Sequence, residues 1–212
     1  MLNPRISLYL ICLLPLLVLL TSSNQADNAT FLKAYGGTPY MGTVQVDIIR
    51  PNGTYVKTDF GEASAHFTSA DHGKVKMIVF GAISNKKGDA GFAVDGVASR
   101  KSWICQSDSV QLKVEENGVI TGSGKVYPQQ FKFSGKIADT RLELLTEIKT
   151  LKPSDNGLPA GTKLTFRYVL RRDIVASSSS SRRRCKKIEW RPQYVGNFDG
   201  TGQTVRVPVC VD

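Results

Sequence analysis

The sequence predicts an all-β protein: an antiparallel meander that closes as a barrel or packs as a sandwich, followed by a small C-terminal β-hairpin. Three observations predict it. Apolar residues recur with period two along most of the chain. Turn signals interrupt them roughly every 8 to 15 residues. No strand–helix–strand rhythm is present, which argues against a doubly wound nucleotide-binding fold. The 212 residues, 41% hydrophobic and 22% charged, fit one domain with an appendage. That balance excludes a disordered chain. Four cysteines are too few for a disulfide-framework miniprotein. A multi-pass membrane protein is excluded, because a single apolar run approaches spanning length.

That run, Ile6 to Leu20, is broken by Ser7 and Pro15, follows Arg5, and precedes the small polar stretch from Thr21 to Ala26. The order is that of a secretory signal peptide, with cleavage expected after Ala26, or else after Ser22 or Ser23. An uncleaved anchor is disfavoured, because the run falls short of the roughly 20 residues a spanning helix needs. The expected location is therefore secreted or periplasmic, with no integral span after cleavage. Cys12 leaves with the signal. Of the remaining Cys105, Cys185 and Cys210, the pair Cys185–Cys210 is preferred, because it closes one compact C-terminal segment. A loop of that size stabilises by roughly 3 kcal/mol in the chain-entropy model. Cys105 is read as a buried small hydrophobe, although pairs that use it stay open.

The elements follow in order. Thr43 to Ile49 alternates and stops at Pro51-Asn52-Gly53. Lys74 to Phe80 alternates, then turns wholly apolar. Ser109 to Val114 alternates cleanly and meets Asn117-Gly118, a hairpin signal, with Val119 to Val126 as the return strand. Gln130 to Ile137 follows, then a turn at Ala138-Asp139-Thr140. Arg141 to Leu151 fits helical spacing through Leu142, Leu145, Ile148 and Leu151, and strand alternation through Leu142, Leu144, Thr146 and Ile148. Its strand neighbours decide for a strand. Lys163 to Leu170 alternates again. Val110, Leu112, Val114, Phe131, Phe133, Leu164, Phe166 and Tyr168 are the expected inward positions. Residues 27–173 form the β-domain, 174–187 a Ser-rich basic linker, and 188–212 the disulfide-closed hairpin. Its strands are Ile188–Trp190 and Thr204–Val211, joined by Tyr194 to Gln203, with Pro208 confining its strand to an edge. This succession of short alternating strands resembles the calycin barrels (lipocalins, avidins) in fold alone. No residue motif of those families is matched, so the resemblance brings no ligand and no site.

The net charge of +10 is uneven. Between Arg171 and Arg191 eight cations face only Asp173 and Glu189. The cluster Arg182, Arg183, Arg184, Lys186, Lys187 and Arg191, beside Trp190, is the candidate ligand- or polyanion-binding site. Arginine's planar fork suits phosphate and carboxylate, and the aromatics Trp190 and Tyr194 add stacking. Candidate partners are an anionic glycan, a lipid or lipopolysaccharide, extracellular DNA, or a protein. The barrel mouth is a candidate for a small apolar ligand or glycan.

No cofactor, metal site or catalytic set is expected. His66 and His72 are read as surface histidines, since Glu62 and Asp71 are the only carboxylates near them in sequence. No Gly-x-Ser-x-Gly elbow or His-Glu-x-x-His is present. Gly122-Ser123-Gly124-Lys125 lacks the glycine spacing of a phosphate loop and reads as strand glycines. Asn197 to Gly202 lacks EF-hand ligand spacing and reads as a connection. The leading expectation is an exported non-enzymatic binding protein. The alternatives are a secreted hydrolase with a dispersed site, or an inhibitor or effector acting on another protein.

Overall fold

The computed structural model describes residues 26–83, 89–153, 157–172, 187–196 and 202–211. Ten strands form one closed antiparallel barrel: β1 (Tyr40–Ile49), β2 (Tyr55–Ala70), β3 (Lys74–Ile83), β4 (Asp89–Ser99), β5 (Ser102–Gln106), β6 (Val110–Val114), β7 (Val119–Val126), β8 (Gln129–Ala138), β9 (Arg141–Thr150) and β10 (Lys163–Arg171). Each pairs with its neighbour in sequence, and β1 closes the circle on β10 from Met41↔Arg171 to Ile49↔Lys163. Of the two expected architectures, the barrel is the one found. The segment that also fitted helical spacing is β9, paired on both sides. All eight expected inward positions face the interior in register. Six of them are buried, and Leu164 and Phe166 are half-buried. One close approach demands glycine. A Cβ at Gly96 would lie 2.4 Å from Trp103 Cε2, so the indole sits flat against β4. Its Nε1 donates to Val75 O at 2.9 Å, inside the core.

A helix, α1 (residues 26–35), precedes the barrel, where the period-two reading anticipated none. It stops at Gly36-Gly37 and closes one end of the barrel. Phe31 and Tyr35, one turn apart, are both buried there. Phe31 meets Tyr35 at 5.0 Å and Phe67 at 5.1 Å, and Phe67 meets Trp103 at 6.0 Å, all edge-to-face. Arg172, the residue after β10, donates to the carbonyls of Ala34 and Tyr35 at the helix C-terminus. Its guanidinium lies 4.2 Å over the Tyr40 ring. A cation at the negative end of a helix and over an aromatic face is favourable on both counts. Tyr40 is buried, donates to Ala138 O at 2.9 Å, and has its phenol pushed up to about 12, chiefly by desolvation.

The C-terminal ribbon pairs β11 (Lys187–Gly196) with β12 (Gly202–Val211). Both strands are longer than the sequence suggested: Tyr194, Val195 and Gln203 lie in strands rather than in the connection. Gly202 permits this, since a Cβ there would strike the Tyr194 ring at 2.1 Å. The ribbon lies on the outer face of the barrel wall. Val195, Val205 and Val207 cover Ile78, Phe80 and Ala93. This explains the fully apolar stretch of β3. Met77 and Val79 point into the barrel, while Ile78 and Phe80 point out beneath the ribbon. Among the described residues no helix is long and apolar enough to cross a membrane.

Arg172→Met should free α1 from the end of β10. Loss of the charged hydrogen bonds and the ring contact predicts about 2 kcal/mol of destabilisation in a denaturant melt. The amides of residues 26–35 should lose hydrogen-exchange protection before those of β8 and β9. Unchanged protection of the helix would show that Phe31 and Tyr35 hold it unaided.

Candidate functional site

The two ends of the barrel differ. At the α1 end the inward side chains Tyr40, Val75, Trp103, Ile120, Leu142 and Leu170 are sealed at 0% exposure. At the opposite end the inward positions Ile48, Ile83, Val126, Ile148, Leu164 and Phe166 are apolar yet only half-buried. These side chains alternate correctly for the lumen, and Ile83, Val126, Ile148 and Phe166 pack against the core on its inner side. One step deeper, Thr146 sits between Phe133 and Phe166 in the strand register, and Tyr168 lies beyond it. Thr146 is 3% exposed and its Oγ1 has no hydrogen-bond partner. Burial pushes the Tyr168 phenol far up, so it stays neutral. At the rim, Lys57 and Asp59 occupy inward positions of β2 opposite Ile48 and Val46, and form an ion pair at 2.8 Å. Half-buried apolar side chains of β1, β3, β7, β9 and β10 thus line this end, with a polar pair at its edge and an unsatisfied hydroxyl beneath, while Ala90, Cys105, Val110 and Phe131 on the other strands are buried.

The predicted basic site divides. Arg182, Arg183, Arg184 and Lys186 lie outside the described residues, as do residues 1–25 with the predicted signal and Cys185 of the predicted disulfide. Lys187 and Arg191 lie on β11 and both bond Glu189, at 3.1 and 3.0 Å. Those contacts hold the Glu189 carboxyl below its ordinary range. Trp190 stands between these cations in sequence on the same strand and keeps 43% exposure. It packs edge-to-face on His66 at 5.0 Å, because the ribbon folds back onto the barrel wall. Cys105 is a free thiol buried in the core, as read from the sequence, and burial pushes its thiol up. Asn28-Ala29-Thr30 and Asn52-Gly53-Thr54 have the pattern of glycosylation acceptors; Asn28 donates to Gly73 O at 2.8 Å, whereas Asn52 stands exposed on the β1–β2 turn.

His66 corrects a second expectation. It is not a surface histidine but 6% exposed, on the outer face of β2 beneath the ribbon. Its neighbour across the ladder is Ile78, and next to that Ala93. The sequence signal was its even spacing from Ser64 and its place in the strand facing the apolar run of β3. His72, by contrast, is exposed, with φ 57 in the turn before β3. His66 Nδ1 has no partner. Among the described residues no three metal-binding side chains cluster. Desolvation lowers the His66 pKa to about 4 from 6.5.

The imidazole therefore stays neutral in the folded protein at pH values where the unfolded chain already binds a proton. Stability is expected to be flat above about pH 6.5 and to fall towards pH 4, by up to about 3 kcal/mol. Lys76, Arg206, Asp71 and Asp95 line the same cleft. Urea melts of wild type and His66→Leu over one pH series isolate the His66 contribution. A wild-type slope that survives in His66→Leu would assign the effect to other groups.

No protein-family model and no curated protein matches the chain. Among solved structures, a Nostoc punctiforme protein of unknown function from the DUF3598 family is similar over 64% of this chain, at 13% identity and a TM-score of 0.43. The likeness spans 46% of that protein's length.

Proposed function

We propose that the protein is an exported, non-enzymatic binding protein that holds a small, largely apolar molecule in the open end of its barrel. The observation that carries this reading is the set of inward-facing, half-buried apolar side chains Ile48, Ile83, Val126, Ile148, Leu164 and Phe166, set against the sealed α1 end. Leaving their exposed parts to water is unfavourable by about 25 cal/mol per Å² of apolar surface, which a ligand of matching chemistry recovers. The unpartnered Thr146 hydroxyl offers that ligand one hydrogen bond at depth, and Lys57–Asp59 meets a polar end at the rim. Export rests on the N-terminal order of charge, apolar run and small residues. A Cys185–Cys210 bond belongs to the same reading. It is supported by the free state of Cys105 and by Cys210 being a bonded cysteine rather than a thiol.

A dansylated fatty acid serves as the probe. Its fluorescence should rise on mixing with the mature protein. Ile148→Trp, which fills the mouth, should weaken uptake by about tenfold or more. Replacement of Arg182, Arg183 and Arg184 by Ser should leave it unchanged. Absence of uptake, together with no co-purifying molecule in native mass spectrometry of the exported protein, would overturn the carrier reading. The same spectrum should place the mature start at Asp27, with one disulfide.

The uneven charge favours a second reading, in which the basic segment grips a polyanion. Since Lys187 and Arg191 are both engaged by Glu189, the weight falls on Arg182, Arg183, Arg184 and Lys186. That reading expects retention on an anionic column that falls steeply with salt and is lost in the triple Ser variant.

A further inference from the structure

A second cleft lies outside the barrel, where the ribbon meets the wall. Its volume is about 400 Å³, and its lining includes His66, Ile78, Lys76, Asp95, Trp190 and Arg206. The wall contributes two rungs of the β2–β3–β4 ladder: His66–Ile78–Ala93, apolar apart from the imidazole, and Thr68–Lys76–Asp95, polar throughout. The ribbon contributes Trp190, Val205 and Arg206. The apolar rung is covered, whereas the polar rung stays open beside it.

Three features distinguish this cleft from an ordinary seam. The imidazole of His66 is 94% buried, yet Nδ1 has no partner. Buried polar nitrogens are almost always paired, and this unpaired one belongs to a side chain that lines the cleft and seats Trp190. Trp190 keeps 43% exposure while its contact with His66 fixes the ring, leaving an oriented aromatic surface. Polar groups of both kinds stand around it: Lys76, held by Gln203 at 2.6 Å and Asp95 at 3.6 Å, the exposed Arg206, and the carboxylate of Asp71.

We propose that this cleft binds a neutral pyranose ring, at a chain end or as a free sugar. Such a ring presents one apolar C–H face and a rim of hydroxyls that both donate and accept. The face suits the exposed side of Trp190; the rim suits Lys76, Arg206, Asp71 and Asp95. An anion would meet two carboxylates as well as two cations. A wholly apolar ligand would cover Lys76, Asp71, Asp95 and Arg206 without pairing them. The volume admits one ring or two. The site is separate from the barrel mouth, because Ile78 points outward while its neighbours Met77 and Val79 point into the lumen.

The test uses the mature chain and four probes: the methyl glycosides of glucose, galactose, mannose and N-acetylglucosamine, up to about 50 mM, which reaches Kd values near 1 mM. Binding is read from the His66 imidazole nitrogen shifts and from tryptophan fluorescence. At least one sugar should shift both. Trp190→Ala and Arg206→Ser should each weaken that sugar about tenfold or more; the second, at an exposed position, tests the site without disturbing the ribbon's apolar contacts. Ile148→Trp at the mouth should leave sugar binding unchanged, so failure of the carrier reading and failure of this one are separable. The proposal is overturned if none of the four sugars shifts His66, if Arg206→Ser binds as wild type, or if binding requires a sulfated or uronic sugar and collapses with salt.

Discussion

The pairing of β1 with β10 is the constraint on which the rest of the molecule depends. An antiparallel meander of ten strands has two edges until its first and last strands meet, and each open edge is a row of unsatisfied backbone groups. Closure joins residues more than a hundred positions apart, so its chain-entropy cost falls on this one ladder. The structure reinforces the joint at the point where β10 ends. Arg172 ties the carbonyl end of α1 to the ring of Tyr40, and Tyr40 in turn bonds Ala138 at the β8–β9 corner. One cation thus links the helix before the barrel, the first barrel strand and the end of the last.

That closure makes the two ends unlike. At the α1 end, Phe31, Tyr35, Phe67 and Trp103 form a chain of edge-to-face aromatic contacts, and the lumen is sealed. No described helix covers the other end, where Gly122 and Gly124 face the interior opposite Phe133 and Phe131 and let β6 approach closely. The phenylalanines fill the middle of the barrel, with Thr146 buried beside them in the strand register.

Much of this was legible in the residues. Period two gave the strands, Asn117-Gly118 the β6–β7 turn, and the ambiguous run at Arg141 resolved as a strand because its neighbours demanded pairing. The helix α1 was not legible by rhythm, since one apolar turn, Phe31 to Tyr35, is too short a sample of a 3.6-residue period. Its signal was the stop at Gly36-Gly37. The burial of His66 was hidden for a different reason. It is caused by a ribbon more than a hundred residues later in the chain, and local alternation reports only which face a residue is on. The apolar run through Met77, Ile78, Val79 and Phe80 was the trace of that cover, because a strand loses its alternation when both of its faces are buried. The basic cluster was legible as charge, but its pairing with Glu189 and the packing of Trp190 on His66 are tertiary.

The ribbon's own situation follows from the same physics. Two strands that hydrogen-bond only to one another are marginal in water. β11 and β12 gain their stability from Val195, Val205 and Val207 on Ile78, Phe80 and Ala93, each such side chain stabilising by about 1.5–3 kcal/mol when buried. Those contacts cover the end of the seam nearest Phe80. Towards the polar rung Thr68–Lys76–Asp95 the seam carries hydrophilic side chains that cannot be packed dry without unpaired groups. The cleft therefore arises where the apolar half of the wall gives way to the polar half. His66 stands on the boundary, buried by one half and left unpaired by the other. Its neutrality is a condition of the ribbon's seat, because a charged imidazole at that depth would draw water beneath Trp190. The outer site and the docking of the ribbon are thus two aspects of a single surface, and a change that displaces β11 must remove Trp190 from the cleft while leaving the barrel mouth intact.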